Sequence, residues 1–278
     1  MSARTSALTM AAMLAFASNS LLCRGALGAG EADATSFTTL RLASGAVVLA
    51  LLARGRAAGE HGGGWASAIA LFVYATFFSL AYLRIAAGVG ALLLFGAVQA
   101  TMLGGGLLRG ERPGGREWLG LALSLAGLVL LTRPGLTAPA PLGAALMIGA
   151  GVAWGVYSLR GWGARALPAN ASNFARSVPF ALLASVLALA LAPPQLTPAG
   201  AALAVTSGGL ASGVGYAIWY AALRGLSAAQ AGIVQLSVPP LAAAGGALLL
   251  GEAVTTRLVA SGGLVLGGIA FAVTSRRG

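Results

Sequence analysis

Aromatic side chains recur at helical spacing in the long apolar runs of this chain. Tyr74, Phe78 and Tyr82 follow one another at i, i+4 and i+8, and Trp154 and Tyr157 are three residues apart in the run GAGVAWGVYSLRG. Residues three or four apart share one face of a helix. Tyrosine and tryptophan in an apolar setting need hydrogen-bond partners, so these faces are expected to line a polar cavity that could stack a flat solute. Packing between helices, or an aromatic belt near the lipid headgroups, is the alternative interpretation of each stripe.

Amide and further aromatic side chains occur in the same runs. An amide can hydrogen-bond a ligand amine or carboxylate, or it can link two helices. The predicted substrate-binding residues are Trp154, Tyr157, Tyr82, Phe78, Phe95, Gln99, Tyr216, Trp219 and Asn19.

Residues for hydrolytic or metal chemistry are scarce. His61 is the only histidine and lies in a loop, and Cys23, the only cysteine, is interpreted as a small apolar filler near a helix end. No Ser–His pair, acid pair or metal cluster is predicted within the apolar runs, so we expect neither an enzyme nor a cofactor. The six acids fall at helix ends or in loops, which disfavours a proton relay through a buried carboxylate.

All 17 basic residues are arginines, and most stand singly in short connections. This distribution favours control of membrane orientation over nucleic-acid binding, and no nucleic-acid partner is expected. Arg41 and Arg176 are exceptions because they lie a turn or two inside apolar runs. Each could pair with a substrate carboxylate, but snorkelling of the side chain to the nearest interface is the favoured expectation.

The composition of the chain indicates that these side chains lie in a membrane-embedded helical bundle. Of 278 residues, 58% are hydrophobic and 8% charged, too few charges to solvate a globular surface of this size, so the apolar excess must face lipid. The first 30 residues imitate a secretory signal but are expected to be retained, because they have a counterpart later in the chain. Ten transmembrane helices are predicted, near 6–23, 35–53, 65–83, 87–108, 117–133, 141–159, 173–192, 200–221, 229–250 and 257–274.

Residues 1–137 and 138–278 are predicted to be two copies of a five-helix unit. Five anchors recur in the same order, and these pairs are Arg24 with Arg160, Arg41 with Arg176, Arg84 with Arg224, Gly110-Glu111 with Gly251-Glu252, and Gly127 with Gly268. Because five is odd, the second copy enters the membrane inverted. With both termini cytoplasmic, eleven arginines fall inside and four outside, in agreement with the positive-inside rule.

Inverted repeats favour a transporter. The two halves can exchange shapes, which moves the opening of a central cavity from one side of the membrane to the other, and the substrate site then lies near the midplane. Pro239 and Pro240 are predicted to fall inside the ninth helix, where they would form either a gating kink or a fixed bend.

These features resemble the EamA branch of the drug/metabolite transporter superfamily. Within it, GAGVAWGVYS, GVGYAIWYAAL and FSLAYL are most similar to YddG-type aromatic amino acid exporters, although a Trp-Pro that relatives carry near Val98 is missing. The resemblance implies a cavity surrounded by helices 1, 3, 4, 6, 8 and 9, with helices 5 and 10 peripheral. It also implies export of amino acids, above all aromatic and neutral ones, by a monomer in the bacterial cytoplasmic membrane.

Two other functions stay open from the sequence. An exporter of aromatic drugs or other small metabolites would use the same rings through cation–π contacts, although no buried acid is present to support it. A passive channel is the second alternative.

Overall fold

The computed structural model describes residues 2–54, 63–108, 114–133, 138–161, 166–225, 234–235 and 237–274. These residues are almost entirely helical. The helices are α1 (Ala3–Gly28), α2 (Ala34–Ala53), α3 (Trp65–Tyr82), α4 (Ala87–Leu108), α5 (Gly115–Thr132), α6 (Pro141–Gly161), α7 (Ala166–Leu189), α8 (Pro198–Thr206, Ser207–Val214 and Gly215–Leu223), α9 (Val238–Leu250) and α10 (Thr256–Thr274). His61, Gly110, Glu111 and Arg277 lie outside the described residues.

Seven of these helices are long and apolar enough to cross a membrane, namely α1, α2, α3, α4, α6, α7 and α8. Large apolar side chains such as Met10 and Leu187 stay more than 60% exposed on them, as expected of surfaces that face lipid. The predicted all-helical, multi-pass membrane architecture is confirmed at this level. Spans at α5, α9 and α10, and hence the full set of ten, stay predictions.

Two helix starts differ from the sequence-based boundaries. Helix α7 begins at Ala166 rather than near 173, because Asn170 and Asn173, which look like loop residues, are buried and hydrogen-bonded to the side chain of Tyr157. Helix α9 begins at Val238, so Pro239 and Pro240 lie in its first turn. Val234 and Gln235 before this start are helical and Ser237 lies in a turn, so the helical path is interrupted just ahead of the prolines. The gating kink and the fixed bend both stay predictions. A first-turn N–H has no partner within the helix, so proline is tolerated there.

Glycines allow α2 and α8 to approach closely. A Cβ on Gly208 would lie 2.0 Å from the carbonyl oxygen of Arg41, and one on Gly45 would lie 3.1 Å from the carbonyl oxygen of Gly208. Gly208 belongs to the middle stretch of α8, Ser207–Val214, which is π-helical. This widened turn places a bare backbone against α2, and π-helical turns are frequent at functional sites.

The helices pack against one another in a defined set of pairs. Neighbouring helices include α2 with α7, α4 with α9, α5 with α10, α3 with α6, α1 with α8, α4 with α6, α1 with α9, α3 with α7, and α2 with α8. Helices α5 and α10 pack chiefly on each other and otherwise touch α4, so they form the periphery. The remaining helices enclose the core.

Arg84 and Arg224 lie at opposite ends of the bundle. Arg84 follows Tyr82, whose carbonyl oxygen accepts a hydrogen bond from Arg24 near the end of α1. Arg224 precedes Gly225, where a Cβ would lie 2.4 Å from the hydroxyl of Thr5 near the start of α1. Thr5 and Arg24 are separated by about 28 Å of helix at 1.5 Å per residue.

Candidate functional site

A small cavity lies where the core helices meet. Its lining residues come from α1, α3, α4, α6 and α8 and from the chain just before α9: Phe16, Asn19, Ser20, Tyr74, Phe78, Leu94, Phe95, Trp154, Ala211, Tyr216 and Gln235. The space open to the centre of a water molecule is about 20 Å³, which is room for about one water. A solute of amino-acid size therefore needs the surrounding side chains or helices to move apart.

Aromatic rings from four helices form a continuous cluster around this cavity. The ring of Trp154 on α6 lies at its centre, with centroids 4.9 Å from Tyr74, 5.4 Å from Tyr157 and 5.2 Å from Tyr216. Phe16 of α1 meets Tyr216 edge to face at 5.8 Å. Ring pairs at such distances stabilise one another and present flat apolar faces. The cluster is therefore suited to holding a planar apolar group.

The cluster continues along α3 through the predicted stripe. Tyr74 and Phe78 have ring centroids 5.4 Å apart, and Phe78 and Tyr82 meet edge to face at 4.7 Å. The Tyr82 hydroxyl donates to the carbonyl oxygen of Ala87 at 3.3 Å, which turns this ring away from the cavity towards the start of α4. Phe78 is thus the last ring of the stripe that reaches the cavity.

Buried amides supply the polar part of the site. Asn19 is 7% exposed, and its Oδ1 accepts a 2.6 Å hydrogen bond from the hydroxyl of Ser207 in the π-helical part of α8. The Tyr157 hydroxyl hydrogen-bonds Asn170 and Asn173 on α7. The first amide lies at the cavity wall, whereas the second pair lies behind the aromatic cluster and fixes Tyr157 in place.

Arg41 is the most unusual side chain next to the cavity. It is 2% exposed, its Nη2 donates to the Tyr74 hydroxyl at 3.1 Å, and its guanidinium lies 4.8 Å from the ring centroid of Phe78. The expectation that Arg41 snorkels to an interface is wrong. Arg41 points from α2 towards α3, where the Tyr74 hydroxyl and the ring faces of Tyr74 and Phe78 replace water as its partners. Arg176 does reach outward, over the half-exposed ring of Trp65.

One end of the bundle is closed by a charged cluster. Arg24 Nε donates to Glu252 Oε1 at 3.0 Å and Arg24 Nη1 donates to the carbonyl oxygen of Tyr82 at 2.8 Å. The second oxygen of Glu252 accepts the backbone N–H of Ala87 at 2.7 Å. We call Arg24, Glu252, Tyr82 and Ala87 the latch. It joins α1, α3, the start of α4 and the end of α9.

A second set of contacts at that end ties α2 to the segment before α8. Partial burial acts to raise the pKa of Asp33, but hydrogen bonds from Ser36, Thr35 and the N–H of Gln195 outweigh it, so the pKa lies below its ordinary value of 3.8. At the other end of the bundle, Arg160 donates to Ser67 at 3.2 Å.

Comparison with known proteins identifies a family domain in the second half of the chain. Residues 141–274 match the model of the EamA-like transporter family. An uncharacterised protein of Pseudomonas aeruginosa, PA1977, is 55% identical to the chain over 99% of its length and 96% of the relative's length. The second half of the chain is therefore an EamA-like transporter domain. A protein of known crystal structure matches 99% of this EamA-like chain and 99% of its own with a TM-score of 0.66 at 21% identity, which shows that the fold is shared.

The EamA-like fold brings five of the nine predicted site residues to the cavity. Those that line it are Asn19, Phe78, Phe95, Trp154 and Tyr216. Tyr157 and Trp219 lie one layer away, against Trp154 and Phe16. Tyr82 belongs to the latch end, and Gln99 lies one turn beyond Phe95 on α4, outside the lining. Their roles in binding a substrate stay predictions.

Sequence reasoning missed several lining residues. Phe16 and Ser20 lie three residues before and one after Asn19, so the same i, i+3 and i+4 spacing that identified the other stripes would have found them on α1. Gln235 stands close to the two prolines, where no helical periodicity identifies its face. Within the described ranges of this EamA-like chain, no three His, Cys, Asp or Glu side chains come close enough to hold a metal ion.

Proposed function

We propose that this chain is a secondary transporter that exports amino acids, above all aromatic and neutral ones, by alternating access through the central cavity. The observation that carries the proposal is the aromatic cluster around Trp154, with the buried amide of Asn19 beside it, at the junction of five helices of a multi-pass EamA-like protein. Rings stack an apolar side chain, and the amide meets a polar backbone group.

The helix contacts support a five-plus-five repeat. When each helix of the first half is exchanged with the one five places later, α3–α6 becomes α8–α1, α4–α6 becomes α9–α1, and α3–α7 becomes α8–α2, and each of these pairs is present. The pairs α2–α7, α4–α9 and α5–α10 map onto themselves. Among the described residues, the nine most extensive helix pairs survive this exchange, which is what two related halves produce.

Individual residues at the α5–α10 crossing support the same relation. A Cβ on Gly127 would lie 2.9 Å from the carbonyl oxygen of Ser261, and one on Gly268 would lie 2.6 Å from that of Gly120. Adding 141 to 127 and 120 gives 268 and 261, so the two close approaches are related by the residue offset that the proposed repeat predicts.

An inverted second half explains why two arginines that match in sequence lie at opposite ends of the bundle. Arg84 and Arg224, matched in the two repeats, lie at opposite ends, as an inverted copy requires. We propose that both termini are cytoplasmic and that the membrane is the bacterial inner membrane. Cysteines placed at the two arginines in a Cys23→Ala background should react with impermeant reagents from opposite sides. Reaction from one side only would contradict the inverted repeat.

A transport screen tests the function itself. Proteoliposomes containing the purified chain are loaded with phenylalanine, tryptophan, leucine or lysine, with and without a pH gradient. We expect saturable efflux and counterflow of phenylalanine and tryptophan, weaker movement of leucine and none of lysine. Flux without counterflow would identify a channel. Efflux of cationic aromatic amines in place of amino acids would identify the drug-export alternative.

A further inference from the structure

The buried charge of Arg41 points to a particular class of solute. We propose that Arg41 is the anchor for a carboxylate, so that the cavity selects aromatic acids and amino acids and rejects aromatic amines. This inference rests on the proposed transport function, because it names the group by which the transported solute is recognised.

In the part of the chain that the structure describes, Arg41 lacks the full set of hydrogen-bond and ion-pair partners that normally stabilises a buried positive charge. Its Nη1 has no hydrogen-bond partner although the side chain is 2% exposed. Among the described residues the ion pair is Arg24 with Glu252, and no carboxylate faces Arg41. Its electrostatic neighbours are the hydroxyls of Tyr74 and Tyr216 and the thiol of Cys23, all neutral when protonated. An arginine in a protein does not lose its proton, and burying its charge without an opposite charge is unfavourable.

The position of Arg41 explains what could supply the missing charge. Tyr74 and Phe78 line the cavity, and both contact the guanidinium, at 3.1 Å through the Tyr74 hydroxyl and at 4.8 Å through the Phe78 ring centroid. One layer of rings therefore separates Arg41 from the cavity. The cavity must widen to admit a solute, and movement of these rings exposes the unpartnered Nη1 to it.

The chemistry of this opening favours an anion. A carboxylate can take two N–H donors of a guanidinium in parallel, which is a strong and geometrically specific pair. A solute that carries only an ammonium group would be repelled at this distance in a low-dielectric site. The ring faces of Trp154 and Tyr216 remain for an apolar or aromatic group.

The second half of the chain shows that burial here is specific to Arg41. Arg176 occupies the matching position in the sequence, yet it is only half-buried, donates to Ser172 at 2.7 Å and lies over Trp65, away from the cavity. Membrane insertion of the repeat therefore does not require a buried arginine at this position. Arg176 provides a matched control.

Binding to the purified chain in detergent tests the inference without needing transport. The probes are phenylalanine, 3-phenylpropionate, which lacks the ammonium group, and phenethylamine, which lacks the carboxylate. Thermal shift and tryptophan fluorescence report binding. We expect the two carboxylates to bind at least tenfold more tightly than phenethylamine. Arg41→Gln should weaken 3-phenylpropionate binding at least tenfold, Arg41→Lys should restore part of it, and Arg176→Gln should leave it unchanged.

Several outcomes would overturn the anchor. Equal binding of phenethylamine and 3-phenylpropionate to the unmodified chain would do so, as would binding of neither at millimolar concentration, and both results are independent of how Arg41 variants fold. Full affinity of a folded Arg41→Gln variant would do the same. If carboxylates bind but no counterflow is seen, the transport function is contradicted and the Arg41 anchor is retained. If phenylalanine is transported but phenethylamine competes equally well, the anchor is contradicted and the transport function is retained.

Discussion

Arg24 and Glu252, 228 residues apart in the chain, form an ion pair with 3.0 Å between Nε and Oε1. Both side chains are largely shielded from solvent, and each also bonds a backbone group, the Tyr82 carbonyl for Arg24 and the Ala87 N–H for Glu252. The latch therefore connects the first helix to the end of the ninth through the turn between α3 and α4. Removing the charge of Arg24 would leave Glu252 without its ion-pair partner, and removing the charge of Glu252 would do the same to Arg24.

Glu252→Gln and Arg24→Gln are each expected to destabilise the chain. Charge-assisted hydrogen bonds of partly buried groups contribute about 1 to 3 kcal/mol, so the unfolding temperature in detergent should fall by several degrees in each variant. The double variant should lose less than the sum, because the second change removes a partner already lost. Arg84→Gln is the control, since Arg84 is exposed and bonds only a carbonyl of its own helix. Strictly additive losses would show that the latch residues act independently.

The rate at which Cys23 reacts with a thiol reagent should report how often the latch opens. This cysteine is fully buried beside Arg24 and Ser79. A maleimide should label it slowly in the unmodified chain and several times faster in the two latch variants, because the adjacent helix ends separate more often. The ratio of labelling rates at fixed temperature is the measurement. Unchanged rates would mean that the latch does not limit access at this end.

Trp154→Ala is expected to lower transport of phenylalanine-like solutes by at least tenfold while the chain still inserts. Trp154 contacts Tyr74, Tyr157 and Tyr216, so its loss removes the central stacking surface and leaves the other rings in place. Trp118→Ala is the matched control, because Trp118 is half-exposed on peripheral α5. Initial rates of counterflow, normalised to reconstituted protein, are compared. Equal rates in the two variants would remove Trp154 from the site.

Asp33 gives a pH dependence of known sign. Its folded pKa is lowered below 3.8 by hydrogen bonds that the unfolded chain lacks, so it stabilises the fold above that pH and this contribution is lost as the pH falls through the folded value. Asp33→Asn keeps a capping oxygen but removes the charge and can place an NH2 group against the Gln195 N–H. The variant should therefore be less stable at pH 7 by about 1 kcal/mol, the usual net size of one hydrogen bond. The difference in unfolding temperature between the two proteins should then shrink below pH 3.8. A constant difference down to pH 3 would show that the charge of Asp33 contributes nothing.

Periodicity within one helix was the most reliable guide from sequence to site. It predicted the Tyr74–Phe78 and Trp154–Tyr157 contacts, because neighbours at i+3 and i+4 touch whatever surrounds the helix. It could not predict which side chains meet across helices. Nearly every face of these helices is apolar, so the sequence carries little information on how each helix is rotated about its axis. The contact of Phe16 with Tyr216 and the burial of Arg41 depend on that rotation.

Helix ends were predicted well where glycine, proline or charge marks them, as at α2 and α4. They were predicted poorly where polar residues are buried. The residues before 173, including Asn170, were predicted to be a connection, yet they are helical because Tyr157 on another helix hydrogen-bonds Asn170. Tertiary hydrogen bonds of this kind leave no mark in local sequence.

Alanine at the two matched glycines of the α5–α10 crossing tests the repeat through stability alone. Gly127→Ala and Gly268→Ala each place a Cβ within 3 Å of a backbone oxygen of the facing helix, so the helices must move apart. Overpacking of this kind costs about 1 to 3 kcal/mol, and the two losses should be similar because the proposed repeat makes the two contacts equivalent. Gly262→Ala, on α10 with nothing within 4 Å of the added atom, should be neutral or stabilising by helix propensity.

The same variants should separate stability from transport. Helices α5 and α10 contribute no residue to the cavity lining, so counterflow per folded protein should remain within about twofold of the unmodified chain. Unfolding temperatures in detergent and counterflow in proteoliposomes are measured on the same preparations. A large loss at Gly127 with none at Gly268 would show that the crossing is not a symmetric contact, and a loss of counterflow at unchanged unfolding temperature would show that α5 and α10 move during transport.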